Sequence, residues 1–132
     1  MEAIEIRSHN LRATVLTHGA TLARLLVADR SGLFGDVLLG FSTDAGWTSP
    51  TNPCMGCIIG RVAGRTSPRL VVEGVEHALP GSDGGGGGIK PGTNLHGGLR
   101  MNRETWKVLH IQPDAVTLQH VCNGQDSGFP GV

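Results

Sequence analysis

Apolar and polar side chains alternate with a period of two through much of this chain, and glycine or proline clusters interrupt the alternation at short intervals. Leu11, Ala13 and Val15 alternate with Arg12 and Thr14. Trp106, Val108 and His110 alternate with Lys107 and Leu109, and Val116 to Val121 is rich in β-forming residues. A period of two sends successive side chains to opposite faces of an extended strand, so that one face can be buried while the other stays wet. No stretch carries the spacing of an amphipathic helix. Glycine supplies 21 of 132 residues, about twice its usual share, as turns between short strands require. The pattern predicts an all-β chain, a β-sandwich of many short strands. Expected strands are Ala3 to Arg7, Leu11 to Thr17, Ala20 to Ala28, Asp36 to Leu39, Met55 to Ile59, Arg69 to Val72, Val75 to Leu79, Glu104 to Ile111 and Ala115 to Cys122. Glu73-Gly74 reads as a tight hairpin turn.

Such a chain has enough apolar residues for a core. Leu, Ile, Val and Phe make up 34 of the 132 residues, about a quarter, above the roughly one-fifth below which chains tend to stay unfolded. The length is that of one domain, 1–132, able to bury about two thirds of its unfolded surface. The 11 basic and 11 acidic residues cancel and the basic ones are scattered, which argues against nucleic acid and anionic membrane as partners. No secretory leader and no membrane-spanning run is present, so the expected compartment is cytoplasmic. Three cysteines fit a reducing compartment better than a disulfide framework.

Several features that suggest chemistry have plainer readings. Cys54-Met55-Gly56-Cys57 has the spacing of a redox or metal pair. With no second pair and with apolar flanks, it reads first as two small buried residues. Gly84 to Gly88 reads as a mobile surface loop rather than a phosphate cradle, which would need a following helix and usually a Lys-Ser/Thr pair. His9, His18, His77, His110 and His120 lack the spacing of zinc ligands. Gly124 to Gly128 lacks the repeated acidic ligands of a calcium loop and reads as a turn. The expectation is therefore no metal and no cofactor.

Two short segments carry the functional signal. Asn94-Leu95-His96-Gly97-Gly98 sets an imidazole beside two residues without side chains, so a polar ligand can approach ring and backbone together. Gly60-Arg61-Val62-Ala63-Gly64-Arg65 sets two guanidinium forks four residues apart. Taken alone, His96 reads as a core histidine bonded to a backbone carbonyl. Arg65 alone reads as a surface arginine covering a strand with its stem.

In order and separation, however, the two segments resemble the aldose 1-epimerase (galactose mutarotase) family. Pro53 to Arg65 is similar to its glycine-rich strand and GRxANR motif, and Asn94 to Gly98 to its NxLHGG-type motif. Gly19 to Leu22 and Asp36 to Phe41 are similar to earlier family segments. Trp106, Val116 to Leu118 and Gly124 to Gly131 follow in family order, the last resembling a DGEEGYPG turn. The resemblance implies an antiparallel β-sandwich of the galactose mutarotase-like type, incomplete in this chain, with 1–132 as its N-terminal part. It also implies an aldohexose monosaccharide as partner, with Arg65 and His96 in the sugar cleft. Asn94 then shapes the turn that presents His96, and Arg61 is structural. Gly64 departs from the family's asparagine and can neither donate nor accept through a side chain, which predicts sugar binding about tenfold weaker.

Mutarotation interconverts α and β anomers through the open-chain aldehyde. A base takes the C1 hydroxyl proton while an acid protonates the ring oxygen. The resemblance implies a glutamate and a second histidine for these roles, in segments beyond the Gly-Tyr/Phe-Pro-Gly turn, where this chain ends. No catalytic residue is therefore assignable, and the chain is expected to have little or no activity alone. It is also expected to self-associate through unpaired strand edges. The alternatives are a non-catalytic carbohydrate-binding or regulatory module, or a truncated reading frame with no function of its own.

Overall fold

The computed structural model describes residues 1–79, 81, 92–122 and 128–131. In chain order these form β1 (Ala3–Arg7), β2 (Leu11–Leu16), β3 (Thr21–Ala28), β4 (Phe34–Asp36) and α1 (Asp44–Trp47), then β5 (Arg65–Thr66), β6 (Arg69–Val72) and β7 (Val75–Ala78). β8 (Asn94–Leu95), a 3-10 turn at His96–Gly98, β9 (Lys107–Gln112) and β10 (Ala115–Gln119) complete the series. Among the described residues all strand pairing is antiparallel, as the resemblance implies. β1 to β4 form a four-stranded meander, while β5 pairs with β8, β6 with β7, and β9 with β10. The expected mobile loop at Gly84 to Gly88 and most of the expected turn at Gly124 to Gly128 lie outside the described residues.

The meander follows from the alternation directly. Ile4 pairs with Val15 and Ala3 with Leu16, and Ile4 and Leu16 are both buried. Each such aliphatic side chain contributes about 1.5–3 kcal/mol of apolar burial. An irregularity between Thr14 and Val15 shifts the register against β3. The chain then leaves the ladder at Asp36. That carboxylate accepts the amide protons of Leu25 at 3.3 Å and Leu38 at 3.2 Å, so the expected strand from Asp36 to Leu39 lies earlier, at Phe34–Asp36. Beyond it, Phe41 meets Trp47 edge-on at 5.2 Å. Gly40 is required there, since an added Cβ would lie 2.6 Å from the Trp47 ring.

The Glu73-Gly74 turn is formed as expected. Both residues have positive φ, 49° and 81°, and Val72 pairs with Val75 across it, the arrangement of a two-residue hairpin turn that matches strand twist. β9 and β10 join the meander where the Arg7 amide donates to the Pro113 carbonyl at 2.7 Å. The expected strand at Met55 to Ile59 is replaced by a loop. Cys54 and Gly56 take φ of 69° and 64°, which no ladder accommodates. The loop still docks on β3 and the turn before it, through Leu22 N–H to Gly56 O and Ile58 N–H to Gly19 O, each 2.9 Å. Among the described residues, no helix is long and apolar enough to cross a membrane.

Candidate functional site

The two signal-bearing segments lie side by side. β5 and β8 pair so that Arg65 stands opposite Leu95 and Thr66 opposite Asn94. Asn94 is wholly buried and belongs to a strand rather than to the turn itself. The chain then turns through four successive residues of positive φ: His96 at 51°, Gly97 at 72°, Gly98 at 95° and Leu99 at 56°. Left-handed backbone costs about 1–2 kcal/mol for each residue with a side chain, so His96 and Leu99 are held against their preference. Gly97 is fixed by space as well as by φ. An added Cβ there would collide with the Gly60 carbonyl and the Arg61 nitrogen.

What holds His96 is a reciprocal pair of bonds with Gly64. The His96 amide donates to the Gly64 carbonyl at 2.9 Å, and the Gly64 amide donates to His96 Nδ1 at 3.0 Å. Nδ1 is therefore an acceptor, so in the neutral ring the proton sits on Nε2. The half-buried imidazole thus offers one N–H donor, with its plane set by backbone rather than by another side chain. Sequence reasoning treats Gly64 as a lost side chain. The structure makes its backbone the anchor of the imidazole, a role with no signature in residue type. Position 64 itself has φ 81° and nothing within 4 Å of an added Cβ.

The two arginines diverge. Arg61 donates to the carbonyls of Pro130 and Gly131 at 3.1 Å each and to that of Cys122 at 3.4 Å. These three bonds clip the glycine-rich segment to the far end of the chain, a structural task suited to a planar guanidinium. Arg65 is exposed on β5. Among the described residues it has no carboxylate partner, the ion pairs there being Arg24 with Asp36 and Arg69 with Glu76. Arg65 on β5 and His96, directly after the end of its partner strand β8, are thus brought near one another, both able to donate hydrogen bonds. No group of three or more His, Cys, Asp or Glu side chains that could hold a metal occurs among the described residues.

The comparisons with known proteins bear on this arrangement. The family profile described as aldose 1-epimerase matches residues 2–132. The galactose mutarotase of Rattus norvegicus is 30% identical over 132 residues, covering 99% of this chain and 36% of that protein. The solved aldose epimerase homologue from C. elegans superposes with a TM-score of 0.83 at 32% identity, over 98% of this chain and 38% of its own. Galactose 1-epimerase from Lactobacillus acidophilus NCFM gives a TM-score of 0.63 at 23% identity, over 81% of this chain and 29% of its own, a likeness of fold. The chain thus spans about a third of the length of these relatives, and its strands follow the galactose mutarotase-like sheet fold. With residues 2–132 matched and its two glycine-rich segments joined through the β5–β8 pair, the chain belongs to the aldose 1-epimerase family.

Proposed function

We propose that this chain forms one wall of the sugar-binding cleft of a protein that interconverts the α and β anomers of aldoses such as galactose or glucose. His96 and Arg65 contact the substrate. The observation that carries this reading is the Gly64 amide bond to His96 Nδ1, which leaves the one remaining ring proton, on Nε2, available as a donor. Arg65, with no carboxylate partner among the described residues, adds planar donors suited to adjacent hydroxyl or ring oxygens.

Two donors bind a sugar but do not open its ring. Ring opening needs a base for the C1 hydroxyl proton, and neither a guanidinium nor an imidazole whose acceptor nitrogen is already engaged supplies one. The 132 residues alone therefore catalyse little or no mutarotation, and the acid and base belong to other segments of an enzyme of this type. A second reading, a non-catalytic carbohydrate-binding module, is favoured by one residue. Gly64 lacks the amide side chain that would bond sugar hydroxyls. The free thiols of Cys54, Cys57 and Cys122 suit a cytoplasmic setting. The exposed Val71 and Val75 of the β6–β7 pair suit self-association.

Polarimetry of freshly dissolved α-D-galactose, run beside saturation-transfer NMR of the same sugar, tests the reading. Binding that His96→Ala and Arg65→Ala each weaken about tenfold or more, roughly 1.4 kcal/mol, with optical rotation decaying at the buffer rate, is the expected result. Rapid mutarotation lost in His96→Ala would overturn the division of labour. Binding indifferent to both substitutions would overturn the site.

A further inference from the structure

The loop that replaces the expected strand at Met55 to Ile59 opens with two cysteines in an arrangement that a pair of inert core residues would not need. Cys54 and Cys57 are both half-buried. They sit at the two ends of a four-residue turn whose third residue, Gly56, has φ 64°. A turn of this length brings its end Cα atoms within about 7 Å, the separation a disulfide bridges at about 4.4–6.8 Å. Cys57 Sγ lies 3.2 Å from the Cys54 carbonyl, to which it donates.

The surroundings treat the two sulfurs unequally. Asn102 Nδ2 donates to Cys54 Sγ at 3.4 Å. Arg103, tethered by its guanidinium to the Pro50 carbonyl at 3.2 Å, adds positive charge nearby. The Cys57 S–H proton can turn from the Cys54 carbonyl to the Cys54 sulfur once that sulfur ionises. This bond and the Arg103 charge outweigh burial and bring the Cys54 thiol down to about 7. The same bond and burial push the Cys57 thiol up. One sulfur is thus poised as nucleophile and the other stays protonated beside it, the usual division between an attacking and a resolving cysteine.

We propose that Cys54 and Cys57 are a redox pair which a hydroperoxide converts into an intramolecular disulfide, with Cys54 as the attacking sulfur and Cys57 as the resolving one. In the first step the Cys54 thiolate attacks a peroxide oxygen. An S–O bond forms, the O–O bond breaks, and the departing hydroxide takes a proton to leave as water. In the second, Cys57 gives up its proton and its sulfur attacks Cys54 sulfur. The S–S bond forms, the S–O bond breaks, and a second water departs. The two thiols supply the two electrons that reduce one hydrogen peroxide to two waters. The turn continues through Ile58 and Ile59 to Gly60, whose carbonyl abuts Gly97, so the disulfide closes a clasp at the root of the segment that anchors His96.

The test uses the full chain, reduced and then treated with a small molar excess of hydrogen peroxide before iodoacetamide trapping and intact-mass and peptide analysis. The expected product carries one carbamidomethyl group, on Cys122, and a Cys54–Cys57 cross-link that dithiothreitol reverses. Cys57→Ser should accumulate a dimedone-reactive sulfenic acid on Cys54, while Cys54→Ser should slow peroxide consumption at least tenfold. Alkylation of Cys54 in the untreated protein should reach half its limiting rate near pH 7. Three freely alkylated cysteines after treatment, a cross-link through Cys122, or a half-point above about pH 8.5, the ordinary thiol range, would overturn the proposal.

Discussion

The β1 to β4 meander spreads its stability over many equivalent bonds, whereas the region around β5 and β8 rests on a few contacts that nothing duplicates. In the meander each register pair is one of a run of adjacent pairs, and its turns are built from local bonds such as Asp29 Oδ1 accepting from the Ser31 and Leu33 amides. Around His96 the strands are two residues long. The ring is positioned by one glycine and the backbone by one close approach. A ladder tolerates the loss of a rung. A keystone contact does not, and the bonds that hold His96 belong to the second kind.

Matched glycine substitutions test that contrast with the largest expected effect. Gly97→Ala, with an added methyl overlapping the Gly60 carbonyl at φ 72°, should cost at least about 4 kcal/mol or prevent folding. Gly32→Ala, in the meander at φ 83° with open space around it, should cost only about 1–2 kcal/mol. Equal shifts in the urea midpoint would break the comparison. Next in size, Arg61→Lys should lose about 1–2 kcal/mol, because one ammonium cannot reproduce bonds to three carbonyls. If that variant proves as stable as the unaltered chain, the clip carries no weight. Removing the exposed Arg24 from its 3.6 Å pair with Asp36 should change the thermal midpoint by the equivalent of about 0.5 kcal/mol or less.

The same contrast governs what was legible in the sequence. β1, β2, β3, β6, β7, β9 and β10 are long enough for a period of two to register, and their observed ends fall within about three residues of the alternation, ordinary uncertainty for element boundaries. β5 and β8 are too short to show any period. Met55 to Ile59 looks like a strand because apolar runs favour one, but periodicity is blind to a left-handed Cys54 and Gly56. Arg65 and His96 are legible as candidates through their motifs. The bond that aims His96 is made by a backbone amide, and an amide looks the same in every residue.

The smallest effect sharpens the picture from the well-ordered side. Glu73 occupies a left-handed position, φ 49°, beside Gly74, where asparagine is better accommodated. Glu73→Asn should raise stability by about 0.5 kcal/mol, and amide exchange at His96 and Gly64 should stay unchanged. Altered exchange there would show that the hairpin and the His96 region are one cooperative unit rather than two.

Arg61 also imposes a schedule. Its carbonyl partners at Pro130 and Gly131 lie 69 and 70 residues downstream, and a ribosome adding about 5–20 residues each second needs roughly 4–14 s to make them. The meander can zip up while that synthesis proceeds, since its pairings join neighbours in sequence. The guanidinium has to wait. On the nascent chain the glycine-rich segment beside the imidazole therefore stays unfastened while the pairings of the meander can already form, at least until the Pro130-Gly131 turn has emerged.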